Sequence, residues 1–105
     1  MVFVETPLFT KLIKDMLPDE DYRLLQVPLF LRPEAGALIR GGVGVRKIRW
    51  NLPGSGKRGG LRIIYYWDVP EETIYMLLPY KKSKQDDLTP RQLRVLRDLV
   101  KEGLQ

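Results

Sequence analysis

Two runs decide how this chain folds: Val45-Arg46-Lys47-Ile48-Arg49-Trp50 and Leu61-Arg62-Ile63-Ile64-Tyr65-Tyr66-Trp67, separated by Asn-Leu-Pro-Gly-Ser-Gly-Lys-Arg-Gly-Gly at 51–60. Branched and aromatic residues dominate both runs and suit a pleated, half-buried surface, while glycine and proline punctuate the stretch between them. The pair predicts neighbouring antiparallel strands. A third run, Thr73-Ile74-Tyr75-Met76-Leu77-Leu78, follows a turn at Asp68–Glu72 that contains Pro70, and predicts a third strand beside them.

Upstream of the strands the apolar spacing is helical. Thr6 followed by Pro7 reads as an N-cap and first helical position, after a short β-favouring run at Val2–Glu5. Leu8, Phe9, Leu12, Ile13, Met16 and Leu17 then fall on one helical face until Pro18 stops it. Asp19, Glu20 and Asp21 place negative charge at the start of a second helix, whose apolar face continues through Tyr22, Leu25 and Leu29. Pro28 lacks the N–H that a helix needs and predicts a kink or an end near Val27, with a turn at Arg32–Gly36. Downstream, Thr89, Pro90 and Gln92 form a capping box, Leu88 and Leu93 are spaced as a hydrophobic staple, and a helix is predicted from Pro90 to about Glu102, ended by Gly103. This order predicts one α+β domain over residues 1–105. N-terminal helices pack on one face of a small antiparallel sheet, a C-terminal helix closes the chain, and the other sheet face is free for function.

Composition narrows the chemistry. Hydrophobic residues make up 44% of the 105, enough to bury a core, and no stretch approaches the ~20 apolar residues that cross a bilayer. A cytoplasmic protein without membrane partners is expected. There is no cysteine and no histidine, so thiolate nucleophiles, the commonest metal ligands and the usual neutral-pH acid or base are missing. Catalysis would have to rest on lysine, arginine, tyrosine, carboxylates or backbone groups; no metal site and no cofactor is expected.

The net charge of +5 is unevenly spread. Arg40, Arg46, Lys47, Arg49, Lys57, Arg58 and Arg62 stand between residues 35 and 67 with no acid among them. An unopposed basic block inside a folded chain points to a polyanionic partner. Lys47 and Arg49 share a strand face by the period of two, the glycine-rich segment brings Lys57 and Arg58 beside them, and Lys81, Lys82 and Lys84 follow Tyr80 near the same rim. Arginine forks and lysine point charges suit phosphate. Tyr65, Tyr66, Trp67 and Tyr80 are candidates for stacking exposed bases, although strand aromatics are more often core. RNA is favoured over duplex DNA because no basic recognition helix is present. Gly54–Arg58 lacks the spacing of a P-loop.

The run Val45–Trp50, followed by Gly56-Lys57-Arg58-Gly59-Gly60-Leu61-Arg62-Ile63-Ile64-Tyr65-Tyr66-Trp67, closely resembles the RelE/HigB family of bacterial toxins, in its HigB-like branch. The order of elements, Tyr22-Arg23 and Tyr80-Lys81-Lys82 match as well. The resemblance implies a type II toxin that enters the ribosomal A site, against 16S rRNA, and cuts mRNA during translation. It also implies a cognate helix-turn-helix antitoxin, HigA-like. The catalytic positions carried over are Lys47, Arg49, Arg62 and Lys82, with Arg46, Lys57, Arg58, Tyr80, Lys81 and Lys84 as further RNA contacts. Leu88 stands where some members place a tyrosine, so no tyrosine base is carried over there.

A site of this composition suits attack of an RNA 2′-OH on its own phosphate. Arg62 and Lys82 would contact the scissile phosphate with Lys47 and Arg49 nearby, and a lysine depressed by its cationic neighbours would serve as base. Two rivals share the sequence features: a gyrase-poisoning toxin of the ParE branch, and a non-catalytic RNA-binding module.

Overall fold

The computed structural model describes residues 1–51 and 60–104. Its elements, in chain order, are β1 (Val2–Glu5), α1 (Pro7–Met16), α2 (Asp19–Leu31), β2 (Ala37–Leu38), β3 (Val45–Trp50), β4 (Leu61–Asp68), β5 (Thr73–Lys81) and α3 (Pro90–Glu102). The α+β class and the three main strands are as expected. The strands form one five-stranded sheet in the order β1-β5-β4-β3-β2. Its ladders are antiparallel except the β1–β5 edge, where Val2 pairs Thr73 and Glu5 pairs Met76 in parallel. The parallel edge follows from what comes next in the chain. Thr6 donates its N–H to Met76 O (3.0 Å) and its hydroxyl to Leu77 O (2.9 Å), so the chain leaves β1 and starts α1 beside β5.

Local chemistry sets the helices. Thr6 Oγ1 accepts the Phe9 N–H at 3.0 Å with Pro7 behind it, and Thr89 and Gln92 close a reciprocal capping box at the start of α3. In α2 the early end expected near Val27 does not occur: the helix runs through Pro28 to Leu31, and the Arg32 N–H bonds Pro28 O. Leu25 and Leu29 are fully buried on either side of the proline, and this anchoring outweighs the local cost of one lost hydrogen bond. Glu5 ties the three N-terminal elements together, accepting from Thr10 Oγ1 at 2.6 Å and from Tyr22 Oη at 2.7 Å. The Tyr22 phenol is pushed up by burial and by that carboxylate, so it remains a donor.

The sheet is covered on both faces, which corrects the expectation of a free one. Phe9, Ile13 and Leu17 of α1 and Leu25 and Leu29 of α2 pack on Leu61, Ile63, Tyr65, Ile74 and Met76. Leu96 of α3 packs on the opposite face against Val45, Ile64, Leu77 and Leu78. Odd-numbered β4 residues face α1 and α2, and Ile64 and Tyr66 face α3, as alternation requires. A register shift between Ile64 and Tyr65 absorbs the extra β5 residue, Leu77. Gly41, Val43 and Gly44 adopt positive φ in the turn from β2 to β3, where two glycines flank the single branched residue. Among the described residues no helix is long and apolar enough to cross a membrane.

Candidate nucleic-acid interface

The antiparallel ladders gather the cations. Arg49 is directly opposite Arg62 across β3 and β4, and Arg62 is opposite Tyr80 across β4 and β5. Since Val45 and Ile64 face α3, alternation puts Lys47, Arg49, Arg62 and Tyr80 on that same face. Lys82 follows β5 and prolongs the ladder, its N–H on Gly60 O at 3.0 Å. Like charges paired across a ladder repel, so two facing guanidiniums cost stability unless an anion sits between or near them.

The Arg62 side chain is only 6% exposed. Among the described residues no ion pair includes it, and its Nη1 lies 3.4 Å from Leu61 O. It folds back over Gly60, where an added Cβ would lie 3.4 Å from Nη1 and 3.3 Å from Trp50 O.

The segment after β5 brings two carboxylates that the sequence reading did not include in the site. Lys47 Nζ lies 3.4 Å from Asp87 Oδ1, and Lys82 Nζ lies 3.6 Å from Asp86 Oδ1 while donating to Asp86 O at 3.0 Å. The segment is itself held in place. Gln85 Nε2 donates to Asp87 O (2.8 Å) and to Gln92 Oε1 (3.0 Å), linking it to the first turn of α3. The Leu88 N–H, donated to Oδ1 at 2.8 Å, holds the Asp87 carboxyl below its ordinary range; partial burial opposes this, and Lys47 and Lys82 add to it. Both ion pairs are solvent-accessible, and such pairs contribute only ~0–1 kcal/mol, so either lysine can exchange its carboxylate for a phosphate. The clue in the sequence is proximity: Asp86 and Asp87 follow Lys81, Lys82 and Lys84 within a few residues.

Of the four positions expected to be catalytic, Lys47, Arg49 and Arg62 thus lie on one face, with Lys82 just past the end of β5 beside them. Of the expected RNA contacts, Tyr80 shares that face and Arg46 does not. Arg46 alternates to the α1/α2 face and donates to Glu34 O (3.0 Å) and Gly36 O (2.7 Å), which makes it a clamp on the turn before β2. Lys81 is opposite Leu61 and shares that residue's face, and with Asp15 and Lys84 it lines a hollow beside α1 that Tyr80 also borders. Lys57 and Arg58 lie outside the described residues. The aromatic platform also needs correction. Tyr65 is fully buried, donating to Pro33 O (2.7 Å) and accepting the Gly36 N–H (2.8 Å), and Tyr80 is only 4% exposed, so neither offers a face on which an exposed base can stack.

No family model matches the sequence. Among solved structures, the fold is similar to a chain in the crystal structure of the intact E. coli RelBE toxin–antitoxin complex. The TM-score is 0.56 with 21% identity, over 76% of this chain and 94% of that one. At this identity the likeness is one of fold, and the fold is RelE-like.

Proposed function

We propose that this protein is the toxin of a type II toxin–antitoxin pair, of the HigB-like kind, acting in the cytoplasm as a ribosome-dependent mRNA endoribonuclease. The observation that carries the reading is the placement of Lys47, Arg49 and Arg62 on one sheet face, with Lys82 prolonging the next strand beside them. The RelE-like fold and the likeness to a chain of a toxin–antitoxin complex support it. In the reaction, an mRNA 2′-OH attacks the adjacent phosphorus as its proton is taken by a base, the P–O5′ bond breaks, and the departing O5′ takes a proton from water, leaving a 2′,3′-cyclic phosphate and a free 5′-OH. Arg62 and Lys82 stabilise the extra negative charge on the phosphoryl oxygens, and Lys47 and Arg49 hold the flanking backbone. Asp87, whose Oδ1 lies 3.4 Å from Lys47 Nζ, is the base we assign to the attacking hydroxyl in place of the lysine expected from the sequence; its lowered carboxyl value makes it a weak one.

Arg62 presents little surface to solvent, so the proposal requires RNA to uncover it as it binds. Cations alone orient a flexible strand poorly, and the ribosome supplies the geometry. The expected partners are mRNA in the A site, the surrounding 16S rRNA and a helix-turn-helix antitoxin. The test is induced expression with and without the neighbouring gene product, scoring growth and mapping transcript ends on ribosomes. Breaks within codons are expected, and Arg62→Ala should lose on the order of 10²- to 10³-fold in cleavage rate, as for a lost oxyanion donor. Growth arrest with intact transcripts and altered DNA supercoiling would replace this reading with gyrase poisoning.

A further inference from the structure

Tyr80 carries a buried hydroxyl with no hydrogen-bond partner, one of only two such side-chain atoms among the described residues. Buried polar groups are almost always paired, because an unpaired one forfeits its hydration for nothing. The tyrosine stands directly opposite Arg62 in the ladder, and both side chains are more than nine-tenths buried. The hydroxyl also lies within the electrostatic reach of both Arg62 and Asp87. Phenylalanine would fill the same space without the penalty.

We propose that the Tyr80 hydroxyl is a neutral hydrogen-bond donor to a non-bridging phosphate oxygen held by Arg62, a contact completed only when a phosphodiester uncovers the pair. The proposal rests on the RNA-cleaving reading for the identity of the phosphate. Chemistry favours a donor over a base. Burial, and secondarily Asp87, push the phenol up from its ordinary value, with Arg62 opposing, so the hydroxyl keeps its proton. A neutral donor strengthens a phosphate site without adding a further cation to a ladder in which Arg49 and Arg62 already face one another.

The test is Tyr80→Phe in the full chain, read in three ways. Thermal unfolding should stay level or move upward, since no partner among the described residues is lost. A clear drop would mean that the hydroxyl is already satisfied within the fold, and would overturn the proposal. With tyrosines labelled at Cζ, the NMR signal that Tyr80→Phe removes should shift when the parent is titrated with inorganic phosphate or with a 2′-O-methyl oligonucleotide. Failure to shift with either would overturn it. Finally, cleavage on ribosomes should fall on the order of 10²-fold or more in the variant. If the parent cuts and the variant matches it, the donor role fails while the nuclease reading stands. If the parent cuts nothing, the nuclease reading fails, and the phosphate titration alone decides whether Tyr80 serves an anion site.

Discussion

Asp87 shows how one side chain sets the conditions under which the cationic face is free. Its carboxyl is held below the ordinary aspartate value of 3.8, first by the Leu88 N–H and then by Lys47 and Lys82. For a carboxyl depressed in the folded state, the stabilisation is complete above the unfolded value and is lost only as pH falls through the lower, folded one. The Lys47–Asp87 pair should therefore survive mild acid, and lowering the pH from 7 to 5 should not release Lys47 to bind RNA. Carboxyl-resolved NMR should place the Asp87 midpoint below 3.8. In Lys47→Ala it should rise only part of the way back, because the backbone donor remains. A midpoint at or above the ordinary value would mean that this contact does not form in solution. Tyr65 illustrates the opposite kind of residue, one whose function is structural. Its hydroxyl joins Pro33 O and the Gly36 N–H, and Gly36 has no Cβ to collide with it; an added one would lie 2.7 Å from the Tyr65 ring.

At the scale of elements, Pro28 offers a direct measure of tertiary packing against local preference. α2 continues past it although the proline supplies no N–H to the helix, so Pro28→Ala should restore one hydrogen bond and remove a ring clash. Stability should rise by about 1–3 kcal/mol, read as a higher denaturant midpoint with an unchanged slope. A fall would show that the ring itself packs productively. The same contrast explains which elements were legible in the sequence. Helix starts were, because Thr6-Pro7 and Thr89-Pro90-Gln92 satisfy backbone donors through neighbours a few residues away. The strands β3, β4 and β5 were, because long branched and aromatic runs suit little else. The fate of Pro28 was not, since it depends on Leu25 and Leu29 finding distant partners. The two-residue strand β2 is too short to carry a pattern, and the parallel pairing of β1 depends on residues more than seventy positions away. In the candidate site, period-two alternation placed Lys47 and Arg49 together. It could not show that Tyr80 is covered, nor that the segment after β5 folds back to bring Asp86 and Asp87 against the lysines.

Across the whole molecule, a net charge of +5 overstates what the cationic face offers to RNA, because two of its lysines are engaged by the chain's own carboxylates. On the RNA-cleaving reading, this internal competition sets a modest threshold, ~0–1 kcal/mol for each exposed pair, that a partner's phosphates must exceed. Asp86→Asn with Asp87→Asn removes the competition while preserving the local fold, since the asparagine Oδ1 still accepts the Leu88 N–H. The double variant gains two positive charges overall and frees Lys47 and Lys82. Binding to a single-stranded RNA should tighten at low salt. Lys47 and Lys82 already meet phosphate in the proposed complex of the parent, so the log–log salt slope should steepen by less than the ~1.4 that two wholly new contacts at ~0.7 each would add. Cleavage on ribosomes should move the other way if Asp87 accepts the proton from the attacking hydroxyl: tighter binding with slower cutting. Unchanged RNA affinity in parent and variant would show that these lysines do not meet phosphate. Tighter binding with faster cutting would remove Asp87 from the reaction and leave it as a brake on RNA capture.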